Sequence, residues 1–406
     1  MQRVAAAYHP GVSAWRATLA GLCASLVGIG LARFAYTPLI PALIAAGWFT
    51  PSQAAYLGAA NLAGYLAGAL LARRMAAQSA AATVLRAMMA LATLAFFACA
   101  WPLSFLWFFG WRFAAGLAGG VLMVLAAPSV LSRVPASRRG LAGGVIFTGV
   151  GLGIAVSGTL VPMLLRLGLA PTWCGLGALA LALTALAWCG WPDESADSAV
   201  AGAPTSRSRP RAGPRLGALY AAYALNAAGL VPHMVFLVDF VARGLGRGID
   251  AGAQYWVLFG LGATIGPVLS GHLADRIGFG AALRLAFLVQ AAAVALLALP
   301  SGPGGLLVSS VVIGAFVPGI VPLVLGRVQE LVPDDPERKK AAWSMATAAF
   351  ALGQAGGAYG FAFLFAETNG YALLFALATA TLLLALTIDL ALAAMLSTAS
   401  CSRRGR

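Results

Sequence analysis

The chain has 406 residues, 61% of them hydrophobic and 9% charged, with a mean hydropathy of +0.88. A soluble domain has about a quarter of its residues charged, so a soluble enzyme, a soluble nucleic-acid-binding domain and a disordered chain are excluded. The formal net charge of +14 has to be judged by where the cations fall.

A bilayer-spanning helix takes about 20 mainly apolar residues, and twelve take roughly 240, close to the apolar share of this chain. The apolar runs predict twelve spans. Span one covers Ala17 to Ala46, two Ala54 to Ala72, three Ala81 to Trp101, and four Phe105 to Leu131. Five covers Leu141 to Leu165 and six Thr172 to Gly190. The first run has no short apolar core ending in a small-residue cleavage site, so it reads as a span and not as a cleaved leader. A hydrophilic stretch, Trp191 to Arg215, follows in mid-chain. Span seven covers Leu216 to Val241, eight Gly252 to Ala274, nine Ala281 to Leu299, and ten Leu306 to Leu325. Eleven covers Ala341 to Phe365 and twelve Tyr371 to Leu396, before a basic tail. The expected organisation is a six-helix bundle over 1–190, a linker over 191–215, a second bundle over 216–396 and a tail over 397–406. Cys23, Cys99, Cys174, Cys189 and Cys401 form no CxxC pair and have no histidine at ligand spacing. They read as small buried hydrophobes, with no metal or cofactor implied.

With the N-terminus in the cytoplasm, 21 of the 26 Lys and Arg fall on cytoplasmic ends and loops. Arg166, Arg243 and Arg247 fall outside, while Arg33 and Arg112 lie within spans. Cytoplasmic excess of Lys and Arg fixes orientation, so both termini are expected in the cytoplasm. Cations spread in short loops along one membrane face imply no nucleic-acid partner.

The two halves echo each other. Pro128-Ser-Val-Leu-Ser-Arg-Val134 matches Pro322-Leu-Val-Leu-Gly-Arg-Val328, and Arg138-Arg139 is echoed by Arg338-Lys339-Lys340. Gly68-Ala-Leu-Leu-Ala-Arg73 matches Gly271-His-Leu-Ala-Asp-Arg276. Three correspondences in order imply a six-plus-six parallel repeat, a layout found in one large transporter class.

These residues resemble the major facilitator superfamily over essentially the whole chain. Gly271-His-Leu-Ala-Asp-Arg-Ile-Gly278 is similar to its signature loop between spans eight and nine. The twin after span two has Ala72 at the acidic position. Arg112-Phe-Ala-Ala-Gly116 resembles the fourth-span motif without its Gln. Gly140, Gly149 and Gly153 have the spacing of the antiporter motif, but Ile154 stands at its proline. Within the superfamily, Gly28-Ile-Gly-Leu-Ala-Arg-Phe-Ala-Tyr-Thr-Pro-Leu-Ile-Pro41 and Gly58-Ala-Ala-Asn-Leu-Ala-Gly-Tyr-Leu-Ala-Gly68 resemble the bacterial YbfB/YjiJ-like branch. The resemblance implies an all-α fold of two six-helix bundles in a bacterial inner membrane. It gives Arg112 a coupling role. It also makes Gly271, Asp275, Arg276 and Gly278 a gate, in which the Asp275 carboxylate meets a helix N-terminus and stabilises the outward-open state.

Charges inside a bilayer are costly and mark functional sites by default. Arg33 lies about 24 Å along span one at 1.5 Å per residue. It stands beside Phe34 and Tyr36, with Pro38 and Pro41 beyond. It is expected to line the central cavity, along with Tyr36, Asn61, Tyr65, Asn226, His233 and Gln354. For Arg112, a structural pair with a carbonyl or acid is the alternative to coupling. His233 has the titration range of a proton relay, and ordinary hydrogen bonding is its plainer reading. Asp239 is a second coupling candidate, or else the partner of Arg243 in an interfacial ion pair. Asp389 reads as a surface pair near the tail.

No GxxxxGK[ST] phosphate loop is present, so energy has to come from a gradient. The expectation is a monomeric secondary transporter of a small molecule, proton-coupled, with efflux favoured by the glycine spacing. The partners are the solute, protons and the lipid bilayer. Uptake of an organic anion or metabolite is the alternative. A membrane acyltransferase is remote, because His233 and Asp239 would point to different faces of one helix.

Overall fold

In the computed structural model, the described residues are 13–131, 133–134, 139–192, 213–299, 302–332 and 336–404. Most of the expected linker and the first twelve residues lie outside them, as do Arg138 and the last two residues of the tail. The regular elements among the described residues are all helices, with no strand. Twelve helical segments are long and apolar enough to cross a membrane, one for each predicted span, and the chain is a multi-pass membrane protein.

The first span is α1 (Ala14–Ser25), a π-helical stretch (Leu26–Leu31), a turn, and α2 (Tyr36–Ala45). Spans two to six are α3 (Pro51–Gln78), α4 (Ala81–Ala98), α5 (Phe105–Leu131), α6 (Arg139–Leu165) and α7 (Leu169–Ala187). The seventh is broken like the first, into α8 (Pro214–Gly229), α9 (Val231–Asp239) and a π-helical end (Phe240–Gly244). Spans eight to twelve are α10 (Gly248–Ile277), α11 (Phe279–Ala298), α12 (Gly302–Leu331), α13 (Pro336–Thr368) and α14 (Tyr371–Arg404).

Local chemistry sets the ends. Thr50 and Gln53 form a reciprocal capping box ahead of α3, with Pro51 in its first turn. Gly278, at φ +80°, turns the chain from α10 into α11. The first span breaks where Gly28 and Gly30 weaken the helix and where Pro38 and Pro41 remove backbone donors. The bonds across the break are long-range for a helix, with Ala32 N donating to Val27 O and Phe34 N to Ile29 O.

The first six and last six spans meet at one end. There α2 packs on α9, and Thr37 Oγ1 donates to Met234 O at 2.5 Å. Trp256 Nε1 on α10 donates to Ser157 Oγ on α6 at 3.1 Å. Tyr56 and Tyr359 bring α3 to α13, with ring centroids 6.3 Å apart. The principal apolar core runs through both sets of spans at this end. At the opposite end the last six spans have a separate core, which includes Tyr223, Phe287, Leu323 and Ala385 and, among the described residues, draws on those from Leu216 onward. The conformation is therefore closed at the α2/α9 end.

Two expectations change. Cys189 is exposed, unlike Cys23 and Cys99. Asp389 is buried and not on the surface, with Arg284 Nε 3.8 Å from Oδ2. The reason is that the face of α14 carrying Asp389 packs against α11, where Arg284 lies.

Candidate functional site

The break in the first span turns Arg33, Phe34 and Tyr36 toward α3, α5 and α9. Together with Asn61, Arg112 and Met234 they line a narrow pocket between the two sets of spans. Its volume is about 10 Å³, room for about one water.

Arg33 is half-buried, and its guanidinium lies 5.0 Å from the Phe34 ring centre and 5.3 Å from that of Tyr65. Its Nη2 donates to Met234 Sδ at 3.5 Å. Among the described residues no carboxylate comes within 4 Å of it. Arg112, 3% exposed, is held differently. Its Nη1 donates to Ala32 O at 2.8 Å, at the break, and its guanidinium lies 4.3 Å from the Tyr36 ring centre. Tyr36 in turn donates its hydroxyl to Ala54 O at 2.8 Å.

Two buried amides complete the site. Asn61 Nδ2 donates to the Arg112 carbonyl at 3.1 Å, which leaves Oδ1 without a partner. Gln354 Nε2 faces Met234 Sδ at 3.8 Å, and its Oε1 has no partner either. Arg33 and Gln354 thus meet at Met234, which lines the pocket with Tyr36, Asn61 and Arg112, while Tyr65 lies against Arg33. Sequence reasoning did not single out Thr37 or Met234. Both are recruited by contacts across 197 and 201 residues, for which no local signal exists.

Asn226 and His233 lie elsewhere. Asn226 Nδ2 donates to Gln290 Oε1 at 2.8 Å, while His233 Nε2 is 2.8 Å from Ser309 Oγ and its ring packs against Phe375. Both point into the interior of the last six spans and not into the pocket. Asp239, also buried, is held by both Nε and Nη2 of Arg243 and by the Tyr371 hydroxyl. His233 and Asp239 engage separate partners, as an acid–base pair would not. Among the described residues no cluster of three or more His, Cys, Asp or Glu is placed to hold a metal ion.

In the gate motif, Asp275 and Arg276 are exposed at the end of α10, and Gly271 and Gly278 flank them. Among the described residues Asp275 makes no hydrogen bond or ion pair, at the end where the last six spans keep a core of their own. Asp275→Asn should leave the protein inserted but slow solute flux by roughly 2- to 30-fold, the rate equivalent of about 0.5–2 kcal/mol at a helix N-terminus. Flux assays across a range of gradients check this, and an unchanged rate would remove the gate role.

Gly149 and Gly153 also have a structural task. A Cβ at Gly153 would lie 2.5 Å from Gly30 Cα, and one at Gly149 would lie 2.5 Å from Leu22 O. The spacing that favoured efflux is accounted for by close packing of α6 on the first span.

A family model described as "Uncharacterised MFS-type transporter YbfB" matches residues 25–390. Among curated proteins none matches the chain. Among solved structures, a variant of the nucleoside transporter NupG is similar, at TM-score 0.74 and 15% identity, covering 93% of this chain and 99% of that one. A D-xylose-proton symporter is similar at TM-score 0.68 and 17% identity, covering 93% and 96%. At these identities the likeness shows the fold.

Proposed function

The chain belongs to the YbfB family of MFS-type transporters, and on that premise we propose that it is a proton-coupled secondary carrier of a small organic solute. The solute binds between the two sets of spans, at Arg33, Asn61, Tyr65 and Gln354, and alternating access follows from rocking one set against the other. The observation that carries this reading is Arg33, a guanidinium held, among the described residues, by a thioether and two ring faces at the junction of the halves. A carrier without a nucleotide motor runs in whichever direction the summed gradients dictate, so one machine serves uptake or efflux. Proton coupling is assigned to the buried groups of the seventh span, Asp239 and His233, with Arg112 acting electrostatically, since a guanidinium keeps its proton. We place the protein as a monomer in the bacterial inner membrane with both termini cytoplasmic, on the strength of the charge bias.

The test is flux of a panel of labelled organic solutes in proteoliposomes, with and without a pH gradient. One or more solutes should move, and faster with the gradient. Arg33→Ala should reduce flux by about 100-fold or more, as loss of a charge-assisted contact of roughly 3 kcal/mol implies. Arg33→Lys should do nearly as much harm, because lysine keeps the charge but not the planar fork. No movement of any solute, or full activity in Arg33→Ala, would overturn the reading.

A further inference from the structure

We propose that the solute held at Arg33 is an organic anion, a compact carboxylate with an apolar or aromatic body and a hydrogen-bond donor of its own. This rests on the transport reading above and names its substrate class. An arginine cannot shed its proton to escape burial, so its charge has to be compensated. Arg243 is compensated by Asp239, and Arg112 by the Ala32 carbonyl and the Tyr36 ring. Among the described residues Arg33 has Met234 Sδ and the faces of Phe34 and Tyr65 and nothing more. A thioether is a weak acceptor, and none of the described carboxylates is within reach. The forked guanidinium matches a carboxylate in two-point geometry, so the solute supplies the missing charge.

The amides specify the rest of the solute. Asn61 and Gln354 are each 1% exposed, and each has an unpartnered carbonyl oxygen. The Asn61 assignment is fixed by its neighbour, because the Arg112 carbonyl can only accept and so takes Nδ2. An unpaired buried acceptor costs about 1–3 kcal/mol, and these two would repel a carboxylate. They therefore take an N–H or O–H of the solute, while its acid group goes to Arg33. Phe34, Leu62 and Met234 supply apolar walls, and the Tyr65 ring lies against Arg33. The pocket is nearly filled in this conformation, and Met234, unbranched and flexible, is the side chain that yields to admit a ligand.

Thermal unfolding of the full-length protein in nanodiscs tests this. The probes are benzoate, 4-hydroxybenzoate and 4-aminobenzoate, each beside its uncharged methyl ester, with chloride and phosphate as inorganic anions. The acids should raise the midpoint and the esters should not, and the two acids with donors should bind more tightly than benzoate. Arg33→Gln should weaken acid binding by roughly 10- to 100-fold, the equivalent of about 1.5–3 kcal/mol for a charge-assisted bond. Asn61→Leu should bring the donor-bearing acids down to the level of benzoate. Esters binding as well as acids, no acid binding, a response to inorganic anions alone, or undiminished binding in Arg33→Gln would each overturn the proposal. The acid–ester comparison on the unaltered protein decides the matter even if a variant fails to fold. An acid that binds through Arg33 yet does not cross proteoliposomes would defeat the transport reading and leave this one. A neutral solute exchanged without Arg33 would do the reverse.

Discussion

Gly116→Val should leave little or no monodisperse protein after solubilisation, whereas Gly110→Ala should be tolerated. A Cβ at Gly116 would lie 1.9 Å from the Asn61 carbonyl oxygen of α3, a backbone atom that cannot swing aside. The contact is reciprocal, since a Cβ at Gly64 on α3 would lie 2.0 Å from Phe113 O on α5. Nothing lies within 4 Å of the same atom at Gly110. Overpacking a well-filled site typically costs about 1–3 kcal/mol, and more is expected where two helix axes have to separate. A bilayer offers no hydrophobic drive to push the helices back together, so close backbone approach is itself a main source of cohesion. Asn61, whose carbonyl makes the contact, also lines the pocket, so any protein that survives should be impaired in flux. Size-exclusion profiles and thermal midpoints measure the effect. A Gly116→Val protein with the parent profile and midpoint would show that the helices have room to part.

The same contact recurs in the last six spans, where a Cβ at Gly314 on α12 would lie 2.0 Å from Phe259 O on α10. The pairing of α3 with α5 is thus repeated by α10 with α12, which is physical support for the repeat read from the proline–arginine segments. That much was legible because spans, charge bias and repeats are local patterns. Arg33, Tyr36, Asn61 and Tyr65 could be picked out as candidates for the same reason, being polar residues in apolar runs, two of them beside Pro38 and Pro41. The roles of Asn226 and His233 were not. A helical period says which side chains share a face, but not whether that face meets the other half or the helix's own bundle. Asp389 was misplaced because its place on span twelve does not say which face meets a neighbour, and that face packs on α11, where Arg284 lies. The union of Thr37 and Met234 depends on how two broken helices cross, and only the assembled structure contains that.

Arg112→Leu should fold and insert, yet lose at least 10-fold in flux, and two opposed magnitudes lead to this expectation. Removing a charge from within the span relieves an insertion cost of at most about 2.5–3.5 kcal/mol, the value at a helix centre. Against it stands the lost bond to the Ala32 carbonyl, worth about 1.5–3 kcal/mol for a charged donor. The sums nearly cancel, so global stability should move little. Local order should not survive unchanged, because the bond at 2.8 Å ties α5 to the break in the first span. Without it the turn between Leu31 and Tyr36 loses its anchor, and Arg33 with it. Tyr36 also loses the guanidinium 4.3 Å from its ring centre. Arg112→Lys should recover part of the flux, since an ammonium can reach one carbonyl but cannot also lie flat on the ring. The discriminating measurement pairs flux with cysteine accessibility at position 37. In Arg112→Leu a cysteine placed there should react faster as the contact of α2 with α9 loosens, while the thermal midpoint stays near that of the parent. A wild-type flux in Arg112→Leu would mean that the broken helix holds its shape alone. A large fall in midpoint would mean that Arg112 secures the whole bundle and not merely its hinge.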